Sequence, residues 1–168
     1  MELTQRIEKR NDTLAISCRL TGDYSKVNYA SAWQTLEEYY SRQKIANDCA
    51  EAEYLCVYQD DPQVTPPEKC RVDACIAADR VKDLQPAGDV GVNTIAGGQY
   101  IVFQIKGSFN QFPEAYALIY GKLLSEAGVK VLHKPVFERY LRKPQTTLPQ
   151  DLVSEIWIPI EETDNINW

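Results

Sequence analysis

The sequence predicts an α+β fold built from two repeats, antiparallel sheet-plus-helix units that each read β-β-α-β-β or a close variant. Three observations predict it. Residues 14–24 (LAISCRLTGDY) and 99–109 (QYIVFQIKGSF) are alternating strands, each ending in a glycine turn with an aromatic residue two places on. A stripe of apolar residues at helical spacing follows each turn. Two more strands then close each half in the same order.

The first strand of each half is the weakest, Thr4–Lys9 and a counterpart around Val90–Ile95. The glycine turns come next, with Gly22 and Gly107 standing 85 positions apart (107 − 22). Tyr29, Trp33, Leu36 and Tyr40 then make one helical face, and Phe112, Tyr116, Ile119 and Leu123 repeat that spacing. These stripes are expected to pack in the core rather than form a cofactor box. Pro113 suits a helix's first turn and Gly128 its end. YLCVYQDDP (54–62) matches VFERYLRKP (136–144), and RVDACIA (71–77) matches VSEIWIP (153–159), both at an offset of 82 (144 − 62; 153 − 71). The expected organisation is one domain: repeat one over 1–78, a linker over 79–89 containing Pro86 and Gly88, repeat two over 90–161, and a tail over 162–168.

Composition narrows the function. Lys plus Arg is 18 against 24 for Asp plus Glu, so the net charge is −6 and no basic run is available to grip phosphates. A direct nucleic-acid partner is not expected; a cationic small molecule or a basic protein surface suits the field. The polar start Met1–Arg6 lacks an export h-region, and no apolar run is long enough to cross a bilayer. The expected location is cytoplasmic, with Cys18, Cys49, Cys56, Cys70 and Cys75 as reduced thiols. Cys70 and Cys75, read within one strand, do not form a CxxC pair, and His133 is the sole histidine. No metal and no cofactor are expected.

Strand alternation assigns faces. Ile156, Ile158 and Ile160, with Val72, Ala74, Ile76, Ile101, Phe103 and Ile105, form aliphatic faces expected beneath the helices. The opposite face is expected to carry Tyr58, Tyr100, Tyr140, Trp157, Asp73, Glu138 and Glu155. Rings beside carboxylates suit a flat, cationic or amphipathic ligand, each cation–π contact contributing about 0.5–2 kcal/mol. A buried carboxylate needs a counter-charge, and the ligand would supply it. Structural readings stand beside this one. Glu155 can pair with Arg71 or Arg139, Asp73 with Arg71 or a loop amide, and Glu138 with a neighbour on its strand face. The tyrosines can be rim residues, and Cys75 a packed thiol rather than a nucleophile.

The run YQDDPQVTPPEKCRVDACIA, then IAGGQYIVFQIKGSF, VFERYLRKP and SEIWIPI, resembles the GyrI-like small-molecule-binding domain over roughly residues 2–161. That family includes a bacterial gyrase-inhibitory protein and effector-binding domains of AraC-type and MerR-type multidrug regulators. The resemblance implies two βαββ-like units with a groove on a pseudo-two-fold axis. It also implies a buried glutamate that meets cationic aromatic drugs, placed here at Glu155, with Trp157 and tyrosines as walls. Some members hydrolyse cyclopropane-containing alkylators, a role Glu155 would serve as general base. The family's regulators carry a helix-turn-helix ahead of this domain, whereas here the first strand starts within a few residues of Met1, so direct DNA reading is not expected. Three functions follow: capture of a cationic or aromatic compound, hydrolysis of an electrophile through Glu155, or inhibition of gyrase by protein binding. A monomer is the expectation, with an exposed edge strand as the place where another chain would pair.

Overall fold

A computed structural model describes residues 1–43 and 52–163. Cys49 and the last five tail positions lie outside the described residues. Eight strands alternate with a few helices: β1 (Glu2–Arg10), β2 (Thr13–Thr21), α1 (Tyr29–Arg42), β3 (Glu53–Tyr58), β4 (Arg71–Ala77), β5 (Val90–Ile95), β6 (Gly98–Lys106), α2 (Phe112–Leu118), α3 (Leu124–Ala127), β7 (Val136–Tyr140) and β8 (Val153–Pro159). The class is α+β with antiparallel strand pairing, and no described helix is long and apolar enough to cross a membrane.

Two compact units divide the chain. One holds Met1–Arg10, Gly98–Lys134 and the chain from Glu138 onward; its strands run in the order β1-β6-β8-β7. The other holds Asn11–Gly97 and Pro135–Phe137, with strand order β3-β4-β2-β5. The division differs from the expected repeat boundaries in where β1 and β5 pair. β1 pairs along its whole length with β6, from Glu2 opposite Lys106 to Arg10 opposite Gly98, and β5 pairs with β2. Segment 79–89 begins as a 3-10 turn, Asp79–Asp83, that buries Val81.

Each unit repeats the other's internal contacts. The Gly22 amide donates to the Cys70 carbonyl at 2.8 Å, and the Gly107 amide to that of Leu152 at 2.8 Å. Gln59 N–H donates to Arg71 O at 3.0 Å, and Leu141 N–H to Val153 O at 3.0 Å. Tyr24 meets Tyr58 edge-on at 5.0 Å, as Phe109 meets Tyr140 at 5.8 Å. Both turn glycines have positive φ, 145° at Gly22 and 126° at Gly107, a backbone conformation that side chains with a Cβ avoid.

The helices differ. Helix α1 is continuous, its Asn28 cap accepting from the Ser31 amide; it buries Ala32, Leu36, Tyr39 and Tyr40, while Tyr29 and Trp33 of the expected stripe are half-buried. The second helix is interrupted by a π-helical turn over Ile119–Leu123. The buried positions become Ala115, Ile119 and Leu124, so the expected Leu123 is displaced by the extra residue that a π-turn inserts. Gly128, with φ 68°, ends α3 as the sequence predicts.

An alanine at Gly107 would adopt the disfavoured φ and drive its Cβ into the Gln111 side chain, whereas a Cβ at Gly121 meets open space in the helix. Gly107→Ala is expected to destabilise the fold by about 1–3 kcal/mol, and Gly121→Ala to stabilise it by about 0.5–1 kcal/mol. Urea denaturation of the two variants checks both signs.

Candidate functional site

In the unit containing β8, Glu155 is only 1% exposed, on the sheet face away from α2. Register brings Trp157 opposite Val102 and Glu155 opposite Gln104 on β6, and Arg6 of β1 lies opposite Val102 on its other side. The Arg6 guanidinium reaches past that small valine to the Glu155 Oε2, 2.7 Å from Nη2, and also donates to Glu8 at 2.7 Å. Arg139 Nη1 donates to Glu155 Oε1 at 3.3 Å, and Trp157 Nε1 to the same oxygen at 3.1 Å. Burial works to lower the basicity of Arg6, but its bonds to Glu8 and Glu155 outweigh that and hold its pKa above the ordinary value. The Trp157 ring has the Arg6 and Arg10 guanidiniums at 5.8 and 5.3 Å from its centroid and Tyr100 edge-on at 5.5 Å. The cations facing Glu155 and Trp157 thus belong to the protein itself.

Asp73, also 1% exposed, is held in the other unit in a similar way. Arg19 lies opposite it in register and grips it with two hydrogen bonds, 2.8 and 2.9 Å. Gln59 adds a third at 3.0 Å, and the Asn93 amide bonds to Ser17 at 2.8 Å. The bond to Asp73 raises the Arg19 pKa. Arg71, the partner expected from sequence, instead pairs with Asp60, whose carboxyl its bond holds below the usual range.

The remaining expected residues need correcting. Arg139 reaches Glu155, so alternation along β7 puts Glu138 and Tyr140 on the opposite, helix-covered face. Tyr116 of α2 confirms that side, donating its hydroxyl to Glu138 Oε2 at 2.6 Å. Tyr58 departs in the same way. Gln59 reaches Asp73, whereas Tyr54, in phase with Tyr58, meets Trp33 of α1 at 6.0 Å. Tyr100, Trp157 and Glu155 share one face of their unit; Tyr58, Tyr140 and Glu138 lie on the helix sides. Cys70 sits just ahead of β4 rather than within it.

Glu138 is therefore the centre of a separate constellation. It is 4% exposed and accepts from Tyr116 on one oxygen and Tyr140 on the other, each at 2.6 Å. Half-buried rings extend from it: Tyr140 on Phe109, Phe109 stacked on Phe112 at 5.6 Å, Phe112 near Tyr116, and Tyr116 stacked on the exposed Tyr120. Sequence reasoning gave Tyr116 only a core role and no site role to Arg6, Arg10, Arg19, Gln59 or Phe109. The Arg6-Glu8-Arg10 alternation was the available signal, placing three charges on one face of β1.

A family model described as the GyrI-like small molecule binding domain matches residues 4–161. The chain belongs to that family. It is 32% identical over 110 residues to a DNA gyrase inhibitor of Escherichia fergusonii, covering 64% of this chain and 69% of that protein. It is 34% identical over 91 residues to the DNA gyrase inhibitor of Escherichia coli K12, covering 53% of this chain and 57% of that one, less than two thirds of its length. Among solved structures, the EcmrR C-terminal domain superposes with a TM-score of 0.70 at 15% identity, covering 97% of this chain and 100% of that one. SAV2435 bound to tetraphenylphosphonium superposes with a TM-score of 0.60 at 17% identity, covering 94% of each chain. A hydrolase encoded by lin2189 of Listeria innocua gives 0.67 at 10%, covering 94% and 91%. These structural likenesses concern the fold of the GyrI-like domain alone.

Two predictions follow from the geometry of this GyrI-like chain. Removing the Glu155 charge leaves two guanidiniums without their shared acceptor, but both are about one-third exposed and can turn to water. Glu155→Gln is therefore expected to lower stability by about 1–3 kcal/mol, below the about 3–5 kcal/mol of a fully enclosed pair; equilibrium denaturation measures it. Burial, then the nearby Asp73 charge, pushes the Cys75 thiol well above its ordinary pKa. In native protein at pH 8, Cys75 is expected to resist iodoacetamide and to react only after denaturation, as peptide mass spectrometry will show.

Proposed function

We propose that this GyrI-like domain captures amphipathic aromatic cations, and that Glu138, not Glu155, is the carboxylate that receives them. The observation that carries the reading is a buried carboxylate held by two phenol hydroxyls and bordered by half-buried rings. Tyr116 and Tyr140 hold Glu138 among these rings, whereas Arg6, Arg139 and Trp157 hold Glu155 on the opposite face of the sheet. A ligand cation would gain the Coulomb attraction of Glu138 at reduced dielectric and about 0.5–2 kcal/mol from each ring face it meets. The bound tetraphenylphosphonium of the structural neighbour SAV2435 supports this ligand class. A hydrolytic role for Glu155 is less favoured, because both its oxygens accept hydrogen bonds from Arg6, Arg139 and Trp157.

The same reading takes the domain to be an internal duplication of two βαββ-like repeats with exchanged first strands. Supporting it, Arg19 faces Asp73 and Gln104 faces Glu155 in register, at the sequence offsets of 85 (104 − 19) and 82 (155 − 73). The paired bonds of Gly22 and Gly107 obey the same offsets.

Isothermal titration with tetraphenylphosphonium tests the ligand reading. A saturable isotherm is expected; Glu138→Gln should weaken it at least about tenfold, equivalent to about 1.4 kcal/mol, while Glu155→Gln should leave it within about threefold. An unsaturable parent, or a Glu138→Gln variant that binds as the parent does, ends the proposal. The curated relatives support a second reading, binding to gyrase. A supercoiling assay with purified gyrase decides it: loss of supercoiled product as this chain is added is the expected result, and unchanged supercoiling at excess chain removes it.

A further inference from the structure

We propose that the exposed edge of β1 is a self-recognition surface, joining two copies of this chain antiparallel about Ile7 into one continuous sheet. β1 ends its strand order and pairs with β6 on one side. It runs nine residues in unbroken register, without proline or bulge. The end strand of the other unit's order, β5, has six residues, includes Gly91, and is preceded by a tight Ala87–Val90 bridge. Edge strands are usually protected from self-pairing by inward charges, prolines or bulges. β1 has charges, but they alternate in sign: on one face Arg6 and Glu8 lie side by side, bonded at 2.7 Å, with side chains 38% and 42% exposed.

That alternation makes the strand complementary to itself. With Ile7 opposite Ile7 of the second copy, Arg6 faces Glu8 of the second copy and Glu8 faces its Arg6. Four charges of alternating sign then close around the two-fold axis. Thr4 falls opposite Arg10, and Gln5 opposite Lys9. Sliding the pairing by two residues sets Arg6 against Arg6 or Glu8 against Glu8, which is repulsive, so the charges also select the register. The backbone groups along the outer edge supply the hydrogen bonds of strand addition. An interface of one strand pair is small, and association is therefore weak and concentration-dependent.

Sedimentation velocity over a rising concentration series reads the assembly directly, with the mass expected to move from 19.1 kDa toward twice that value. Glu8→Arg puts four like charges around the axis and should weaken association at least about tenfold, with its circular dichroism spectrum unchanged. A second variant reports the register. Ile7→Cys should form an intermolecular disulfide under mild oxidation, because paired positions bring Cβ atoms within about 4.5–5.5 Å, whereas Gln5→Cys should not. A parent that stays monomeric throughout, a Glu8→Arg variant that associates as the parent does, or a dimer in which Ile7→Cys links no better than Gln5→Cys overturns the proposal.

Discussion

A carboxylate removed from water must be compensated by donors or cations, and the site architecture follows from how Asp73, Glu138 and Glu155 meet that demand. All are at most 4% exposed. For such groups the desolvation penalty is several kcal/mol, so the partner is as much a part of the fold as the acid. Asp73 and Glu155 take guanidiniums from other strands, and the bonds then run across the sheet. Arg6 is the clearest case. It stands on an edge strand, spans Val102 and binds an acid one strand further in, tying β1 to β8 through β6. Glu138 accepts two hydroxyls, one from its own strand and one from α2. The cation-paired acids brace the sheet, while the phenol bonds tie Glu138 to α2.

The distant pairing of β1 gives this bracing a second consequence. β1 is continuous in sequence with β2 but pairs wholly with β6, nearly a hundred residues later in the chain, from Glu2 opposite Lys106 onward. Neither unit is complete from one contiguous half of the sequence. Loop closure must precede the reward of such pairings, which makes them slow to form. The Arg6–Glu155 pair forms only after β1, β6 and β8 are all in place.

The fold was largely legible because its signals are local. Turn glycines, the Pro113 and Gly128 helix limits, and aliphatic alternation at Ile101, Phe103 and Ile105 or Ile156 and Ile158 each reflect their own backbone. The strand faces were half legible. Glu155, Trp157 and Tyr100 share a face as alternation predicts, because β8 and β6 have one plainly aliphatic face against which the other stands out. β3 and β7 give no such contrast. Leu55, Cys56 and Val57 are consecutive buried residues, as are Phe137 and Glu138, so both strand faces are covered and alternation carries no phase. The long hairpin loops to β4 and β8 do not fix the register from sequence either, and Tyr58, Tyr140 and Glu138 were assigned one residue out of phase. Arg6 escaped notice because β1 is the weakest strand by pattern, and the partner of Arg6 lies two strands away on β8.

On the proposed duplication, the two halves differ where the ligand reading needs them to differ. At an offset of 82, Glu138 corresponds to Cys56 (138 − 56) and Tyr140 to Tyr58 (140 − 58), while Phe109 corresponds to Tyr24 at 85 (109 − 24). The edge-on ring pair is kept in both halves, so the aromatic frame belongs to the scaffold. The acid does not. A buried thiol is neutral and needs little from its neighbours, and the helix beside Cys56 offers Trp33, whose ring meets Tyr54. A buried carboxylate needs donors, and the corresponding helix position beside Glu138 is Tyr116, whose hydroxyl supplies one. Acid and phenol form a matched pair, since either alone would leave a polar group to be satisfied in the interior. On that reading the frame of rings occurs twice, and the Glu138–Tyr116 pair is what distinguishes the copy on which the ligand proposal rests.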